Sequence, residues 1–343
     1  MKSLKTYRLA FIIISVLLLF CFLLNISLGS VSIPMKEIIH TVLGQEVEKE
    51  SWNYIILHYR IPKAITAILT GCSLSISGLL MQTLFRNPLA GPFVLGISSG
   101  ASLGVALFIM GGSLLTGVAA SLIVGQLSIA IAATLGSFVV LLAIVIVASK
   151  VRDTMALLII GLMFGSITAA VVSVLSYFTN KEKLQQYIFW SFGNLGNLSW
   201  DQIILLTTLV LVGLILAVIS IKSLNSLLLG ENYARSLGTH IQKSRYLIIV
   251  ATSILAGSVT AYVGPIAFIG LAVPHLTRQI FNTPNHHVLV PATAIYGGIL
   301  MLICDTIAQL PGSEHSLPIN AITSIVGAPV VIWLLVRKRK MVF

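Results

Sequence analysis

Between Arg86 and Lys150 the chain runs for 63 residues without one charged side chain. No water-facing fold can be built from such a stretch, because soluble domains carry about a quarter of their residues as charges. Over all 343 residues only 9% are charged and 57% are hydrophobic. The apolar runs are about 20 residues long, not alternating decamers, so they read as membrane-spanning helices rather than barrel strands. Both flanks of the uncharged stretch are basic, which places an even number of spans inside it.

Ten spans are expected, near residues 9–28, 62–84, 92–110, 118–148, 155–178, 202–221, 246–263, 266–281, 288–310 and 319–336. The fourth is over-long and is expected to be tilted or broken. The first follows Lys2, Lys5 and Arg8 as a signal peptide would, but Asn25-Ile26-Ser27-Leu28-Gly29 is a poor cleavage site, so a retained span is expected. With both termini inside, the inner segments hold 15 of the 21 Lys and Arg residues, including Arg86, Lys150, Arg152, Arg278 and Arg337 to Lys340. That bias is the positive-inside signature, and it accounts for the net charge of +11 without nucleic acid. The domain organisation expected is a single transmembrane domain over 1–343.

The uncharged stretch opens on helix breakers: Arg86-Asn87-Pro88-Leu89-Ala90-Gly91-Pro92-Phe93-Val94-Leu95-Gly96. Proline removes a backbone donor, and glycine accepts strained backbone. At membrane depth such backbone survives only inside protein or beside a watery cavity. Pro88, Gly91 and Pro92 therefore point to a pathway. Gly264-Pro265 repeats the break before a later span of opposite direction. That echo suggests an inverted repeat of spans two to five and seven to ten. Gly96, Gly100 and Gly104, like Gly71, Ser75 and Gly78, allow helices to approach closely.

Chemistry is sparse. No Gly-Lys dipeptide occurs, so the chain has no P-loop. Gly96-Ile97-Ser98-Ser99-Gly100 matches a serine-nucleophile pattern but lies in an apolar helix. Cys21, Cys72 and Cys304 sit in apolar runs as packing residues, and His275, His286 and His287 read as structural. Asp305 is the one acid expected near a span's outer end, hydrogen-bonded or lining the outer mouth. Few acids leave little for ion coupling, so energy must come from a partner. Residues 222–245 offer the place. Leu227 to Leu229, Ala234 and Leu237 form an apolar face, with Gly230 and Gly238 as helix stops, which suits a docked protein better than a helix lying on the membrane. The outer segment Ser30 to Lys63, with Glu37, Glu46, Glu48 and Glu50, reads as a solvated loop or a docking surface.

These blocks resemble the permease subunits of ABC importers for iron–siderophore complexes, haem and cobalamin. The match rests on five of them. They are Arg60-Ile61-Pro62-Lys63, the stretch from Ser77 to Ala101, Leu224 to Gly238, Gly264-Pro265-Ile266-Ala267-Phe268-Ile269-Gly270-Leu271-Ala272-Val273-Pro274-His275 with Arg278, and Ile325-Val326-Gly327-Ala328-Pro329. The resemblance implies an all-α, ten-span bundle that is not itself an enzyme and pairs with a second permease copy or a sister permease. Two ATPase subunits, which hold ATP and Mg, would dock through Leu227, Gly230, Glu231, Ala234, Arg235, Leu237 and Gly238. It also implies a cytoplasmic gate at Asn87, Leu89, Thr154 and Met155, and an external binding protein docked on Arg60 and Lys63. No cofactor or metal is implied in this chain. Family breadth favours an iron(III)–siderophore cargo, with haem or cobalamin as the alternative. Two departures touch the outer surface: Ser316-Leu317-Pro318-Ile319-Asn320 stands for a Glu-Leu-Pro-Ile-Gly-like segment, and Gln309 replaces an outer cation. An ion-coupled transporter, a membrane protease using Ser98 and a polytopic scaffold are the rival readings.

Overall fold

The computed structural model describes residues 7–29, 31, 33–45, 47–111, 126–151, 154–310, 312–313 and 316–336. Lys2, Lys5, Glu46, Arg152 and Arg337 to Lys340 lie outside the described residues. Among the described residues there is helix and no strand. Among the described residues seven helical segments are long and apolar enough to cross a membrane, and Ile97–Ile109 and Ile319–Trp333 are shorter apolar helices. The contacts divide the chain into two compact units, Met1–Ile76 with Asn194–Thr208 and Ile266–Val342, and Ser77–Gly193 with Leu209–Pro265.

The first unit begins with α1 (Arg8–Ser27), followed by the short α2 (Met35–Val42) and α3 (Glu50–Ile55). A π-helical turn, Ile56–Arg60, then runs straight into α4 (Ile61–Leu84). The sequence reading of a loop up to Lys63 is therefore corrected, because helix is continuous from Glu50 to Leu84. Pro62 explains both the misreading and the π turn. It supplies no N–H and crowds the preceding turn, and widening that turn to an i→i−5 bond, Ile61 N–H to the Ile56 carbonyl, accommodates it. α13 (Ile269–Phe281), α14 (His286–Ala308) and α15 (Ile319–Val336) pack on one another, and α14 also packs on α1.

Two contacts define this unit. Gly71 of α4 and Gly297 of α14 cross so closely that a Cβ on either would collide with the other's carbonyl. Ser75 seals the crossing by donating to the Gly71 carbonyl at 2.6 Å and the Thr293 carbonyl at 3.1 Å. At the other contact, Lys63 Nζ lies 3.1 Å from Asp305 Oδ1, with side-chain exposures of 24% and 2%. Asp305 Oδ2 accepts from Asn25 at 3.0 Å and Gln309 at 2.7 Å, so one carboxylate ties α1, α4 and α14. Asp305 is thus hydrogen-bonded and ion-paired.

The second unit is built round α5 (Ile97–Ile109), which packs on α6 (Gln126–Lys150), α7 (Thr154–Phe178) and α12 (Ile241–Val263). Gly100 and Gly104 lie against the backbone of Gly136 and Ala132, where added Cβ atoms would clash. The start of the expected fourth span, before Gln126, lies outside the described residues. α8 (Lys181–Ser191) is capped by Asn180 and lays Tyr187 and Trp190 on the α5 core. Past Leu209, α9 (Trp200–Ile219) sets Gly213 against Leu255 of α12. α7 is buried over only 17% of its span window, against 72% for α12. Its exposed residues include Met155, Ile159, Leu162, Ile167 and Val174, so apolar side chains face outward, as they do in lipid.

Gly71→Ala is expected to lower stability in detergent by about 1–3 kcal/mol, the cost of overpacking. Gly111→Ala should change it little, because the nearest atom to the added Cβ is 4.0 Å away. Asp305→Leu strands Lys63 and should lower the thermal midpoint more than the double variant Lys63→Met/Asp305→Leu, because removing one partner of a buried pair is worse than removing both. Thermal unfolding of the purified variants checks both expectations.

Candidate functional site

α4 ends in a closed cap. Asn87 N–H donates to the Gln82 carbonyl at 3.1 Å and Arg86 N–H to the Thr83 carbonyl at 3.3 Å, while Arg86 takes a left-handed φ of +47°. That pair of bonds satisfies carbonyls the helix would otherwise orphan. Beyond it, Asn87 Oδ1 accepts from the Leu89 N–H at 2.9 Å and holds a tight turn. Leu89 is exposed and Ala90 is fully buried. Gly91 is extended, Pro92–Leu95 form a 3-10 turn, and Gly96 at φ +70° turns the chain into α5. The 3-10 turn packs on α7, whose first residues are Thr154 and Met155, with Met155 exposed.

The second break closes in a similar way. Gly264 ends α12 at φ +86°, where a Cβ would lie 2.7 Å from the Trp190 carbonyl. Pro265 follows. Phe268 at φ +66° then precedes α13, as Gly96 precedes α5, and both helices have 13 residues. Within the first unit the Ala267 N–H donates to Asn320 Oδ1 at 3.1 Å, and Gly327 leaves room for the Phe268 side chain.

The segment expected to couple forms two short helices, α10 (Ile221–Leu227) and α11 (Glu231–Ser236). Gly230 at φ +102° opens α11 and Gly238 at φ +79° closes it. Thr239 N–H donates to the Ala234 carbonyl at 3.0 Å and Gly238 N–H to the Arg235 carbonyl at 2.9 Å, the bond pair of a Schellman cap. The expected apolar face needs correction. Leu227 and Ala234 are buried, because α10 and α11 pack on each other and α11 packs on α12. The exposed apolar side chains are Leu229, Tyr233 and Leu237, at 55–59%. Composition alone does not separate these sets, and Tyr233 escapes notice as a tyrosine among polar neighbours.

This hairpin is tied to its surroundings by polar bonds. Buried Arg245 of α12 pairs with Glu231 at 3.4 Å and donates to the Val151 carbonyl at 3.0 Å, just before α7. Ser244 donates to Ser223 at 2.9 Å. On the other side the Arg86 guanidinium lies 3.6 Å from where a Cβ of Gly230 would be. The element expected to couple thus reaches the chain beside both expected gate segments, at Arg86 and at Val151. Arg245 is signalled in the sequence only as a cation at the edge of an apolar run. A cleft of about 440 Å³ adjoins α11, lined by Arg235, His240, Lys243 and Arg245 against Glu231.

The remaining expected site residues have partners of their own. Arg60 donates to the carbonyls of Ile26 at 2.6 Å, Ser27 at 2.9 Å and Val31, capping the end of α1. Lys63 is bound to Asp305. Arg60 and Lys63 are therefore both engaged within the chain. Ser98 faces the Thr260 hydroxyl at 3.4 Å, a hydroxyl rather than a base.

A family model described as the FecCD transport family matches residues 17–337. The chain is 33% identical over 319 residues to a hemin transport system permease protein, HmuU of Yersinia pestis, covering 93% of this chain and 94% of that one. It is 36% identical over 284 residues to a vitamin B12 import system permease protein, BtuC of Salmonella arizonae, covering 82% of each. An inward-facing structure of a metal-chelate type ABC transporter superposes with a TM-score of 0.83 at 28% identity, covering 97% of this chain and 100% of that one. PsaBC from Streptococcus pneumoniae shares the fold at a TM-score of 0.56 and 15% identity, covering 88% of this chain and 95% of that one. The chain belongs to the FecCD transport family and is a multi-pass membrane permease of the ABC-importer class.

Proposed function

We propose that this chain carries a bulky metal chelate, by preference an iron(III)–siderophore, across the bacterial cytoplasmic membrane by ATP-driven alternating access. The observation that carries the reading is the position of α11 beside both expected gate segments, bonded through Glu231–Arg245–Val151 on one side and close to the Arg86 guanidinium at Gly230 on the other. A load applied to α11 from the cytosol would reach Asn87 and Leu89 on one side and Thr154 and Met155 on the other. Exposed Leu229, Tyr233 and Leu237 supply an apolar anchor for the ATPase subunits. The basic cleft beside them supplies electrostatic steering. ATP and Mg belong to those partners.

The relatives named for hemin and vitamin B12, and the metal-chelate transporter, support a bulky cargo. Haem and cobalamin are the alternative cargoes. The chain is read as ten spans, α1, α4, α5, α6, α7, α9, α12, α13, α14 and α15, with both termini cytoplasmic. The matching breaks at Gly91–Pro92 and Gly264–Pro265, each leading through a left-handed residue into a helix of 13 residues, support the inverted repeat. The pathway then lies between two permease copies, or between this chain and a sister. A binding protein docks outside, where Arg60 and Lys63 shape the surface through their intrachain bonds.

Tyr233→Asp is expected to weaken association with the ATPase by about tenfold or more, as loss of an interface anchor does. Co-purification with the ATPase over a salt series checks it, and the wild-type complex should itself loosen as salt rises. Gly238→Val places a β-branched residue at φ +79° and strains the cap. It should abolish uptake while the chain still inserts. Labelled ferric siderophores, haem and cobalamin offered to cells lacking this chain identify the cargo. One ATP-dependent uptake should be lost and then restored by the wild-type chain. Unchanged uptake of all three, in cells without a duplicate permease, overturns the reading.

A further inference from the structure

The outer segment between α1 and α4 presents a surface that the transport reading does not use. On α2, residues Met35, Ile39 and Val42, with Leu43 just past its end, occupy one arc of about 100°. These four side chains are 40–65% exposed. Glu37, Ile38 and Thr41 are buried on another side of the helix, which packs against α1 and α3. Lys36 and His40 lie between the two arcs. The helix therefore has three faces: one for protein, one polar, and one apolar. Burial against protein and contact with water account for the first two. The third is left without a cover from the described residues of this chain.

We propose that α2 lies in the outer headgroup layer of the bilayer, with Met35, Ile39, Val42 and Leu43 set into lipid and Lys36 and His40 turned to water. Position supports this occupant. α2 starts eight residues after α1 ends at Ser27, and Arg60 holds the chain between them by binding the carbonyls of Ile26, Ser27 and Val31. α1 is itself long and apolar enough to span, and it exposes Leu9, Ile12, Val16, Leu19 and Phe20, so α2 continues an element that already faces lipid. Tyr54 of α3 and Tyr59 of the π turn, both exposed, lie in the same stretch between α1 and α4. Tyrosines of this kind gather at membrane–water interfaces, where one end of the ring is wet and the other apolar. An amphipathic helix with such neighbours lies in the interface plane, its apolar face a few ångströms below the headgroups.

A binding protein could also cover an apolar face, and one experiment separates the two occupants. Val42→Cys, Ile39→Cys and Lys36→Cys are each labelled with an environment-sensitive fluorophore in the full-length chain in nanodiscs. The wild-type chain, with its cysteines inside α1, α4 and α14, serves as the labelling blank. The labels at Val42 and Ile39 are expected to emit at shorter wavelength than the label at Lys36. Phospholipids carrying a nitroxide near the headgroup should quench them, and aqueous iodide should not. Iodide should quench the label at Lys36. Iodide quenching at Val42 and Ile39 without lipid quenching overturns the proposal, and so does shielding that appears only when binding protein is added. Because the labelled positions are exposed, folding is not at risk, and thermal unfolding of each variant confirms it.

Discussion

Where this chain breaks a helix, at membrane depth or at its edge, its own groups close backbone hydrogen bonds, and hydrocarbon would offer none. Left-handed residues make this possible. Arg86 and Gly238 each end a helix with the same pair of bonds, reaching five and three residues back along the chain. Gly96 and Phe268 each precede a helix of 13 residues. Two of these four are not glycine, so their backbone strain is held by surrounding contacts. Arg86 approaches Gly230, and Phe268 fills the space left by Gly327.

The packing follows from the same solvent. Lipid is as apolar as leucine, so burial of apolar area does not bring helices together. Close approach of backbones does. Gly71 on Gly297, and Gly100 and Gly104 on Gly136 and Ala132, bring helices together with no intervening side chain. Large apolar residues face outward on α1 and α7, while serines, threonines and a few charges lie inside among buried residues such as Leu79, Leu80 and Met301. Buried Asp305 and Arg245 are each given a fixed partner, Lys63 and Glu231. The first pair, with Asn25, fastens α1, α4 and α14. The second fastens the hairpin read as facing the cytosol, which is where an external motor would have to act.

Much of this is legible in the chain itself. Apolar runs and breakers locate the helices and the two breaks, since proline, glycine and the absence of charge act locally. The glycines flanking α11 are legible for the same reason. The outer segment is not. Its charges and Pro62 read as loop, whereas a π turn lets helix run through the proline. Lys63 and Asp305 stand 242 positions apart, and nothing local pairs them. The face of the hairpin is legible only in part, because Leu227 and Leu229 are the same residue type in the same run and only packing decides which is buried.

On the proposed function, partner ATPases drive this permease through α11. Uptake into proteoliposomes holding the permease with its ATPase and binding protein decides the matter. It should need hydrolysable ATP on the cytoplasmic side and persist when ionophores collapse every ion gradient. Uptake that continues without ATP and stops when a gradient is collapsed would overturn the proposal.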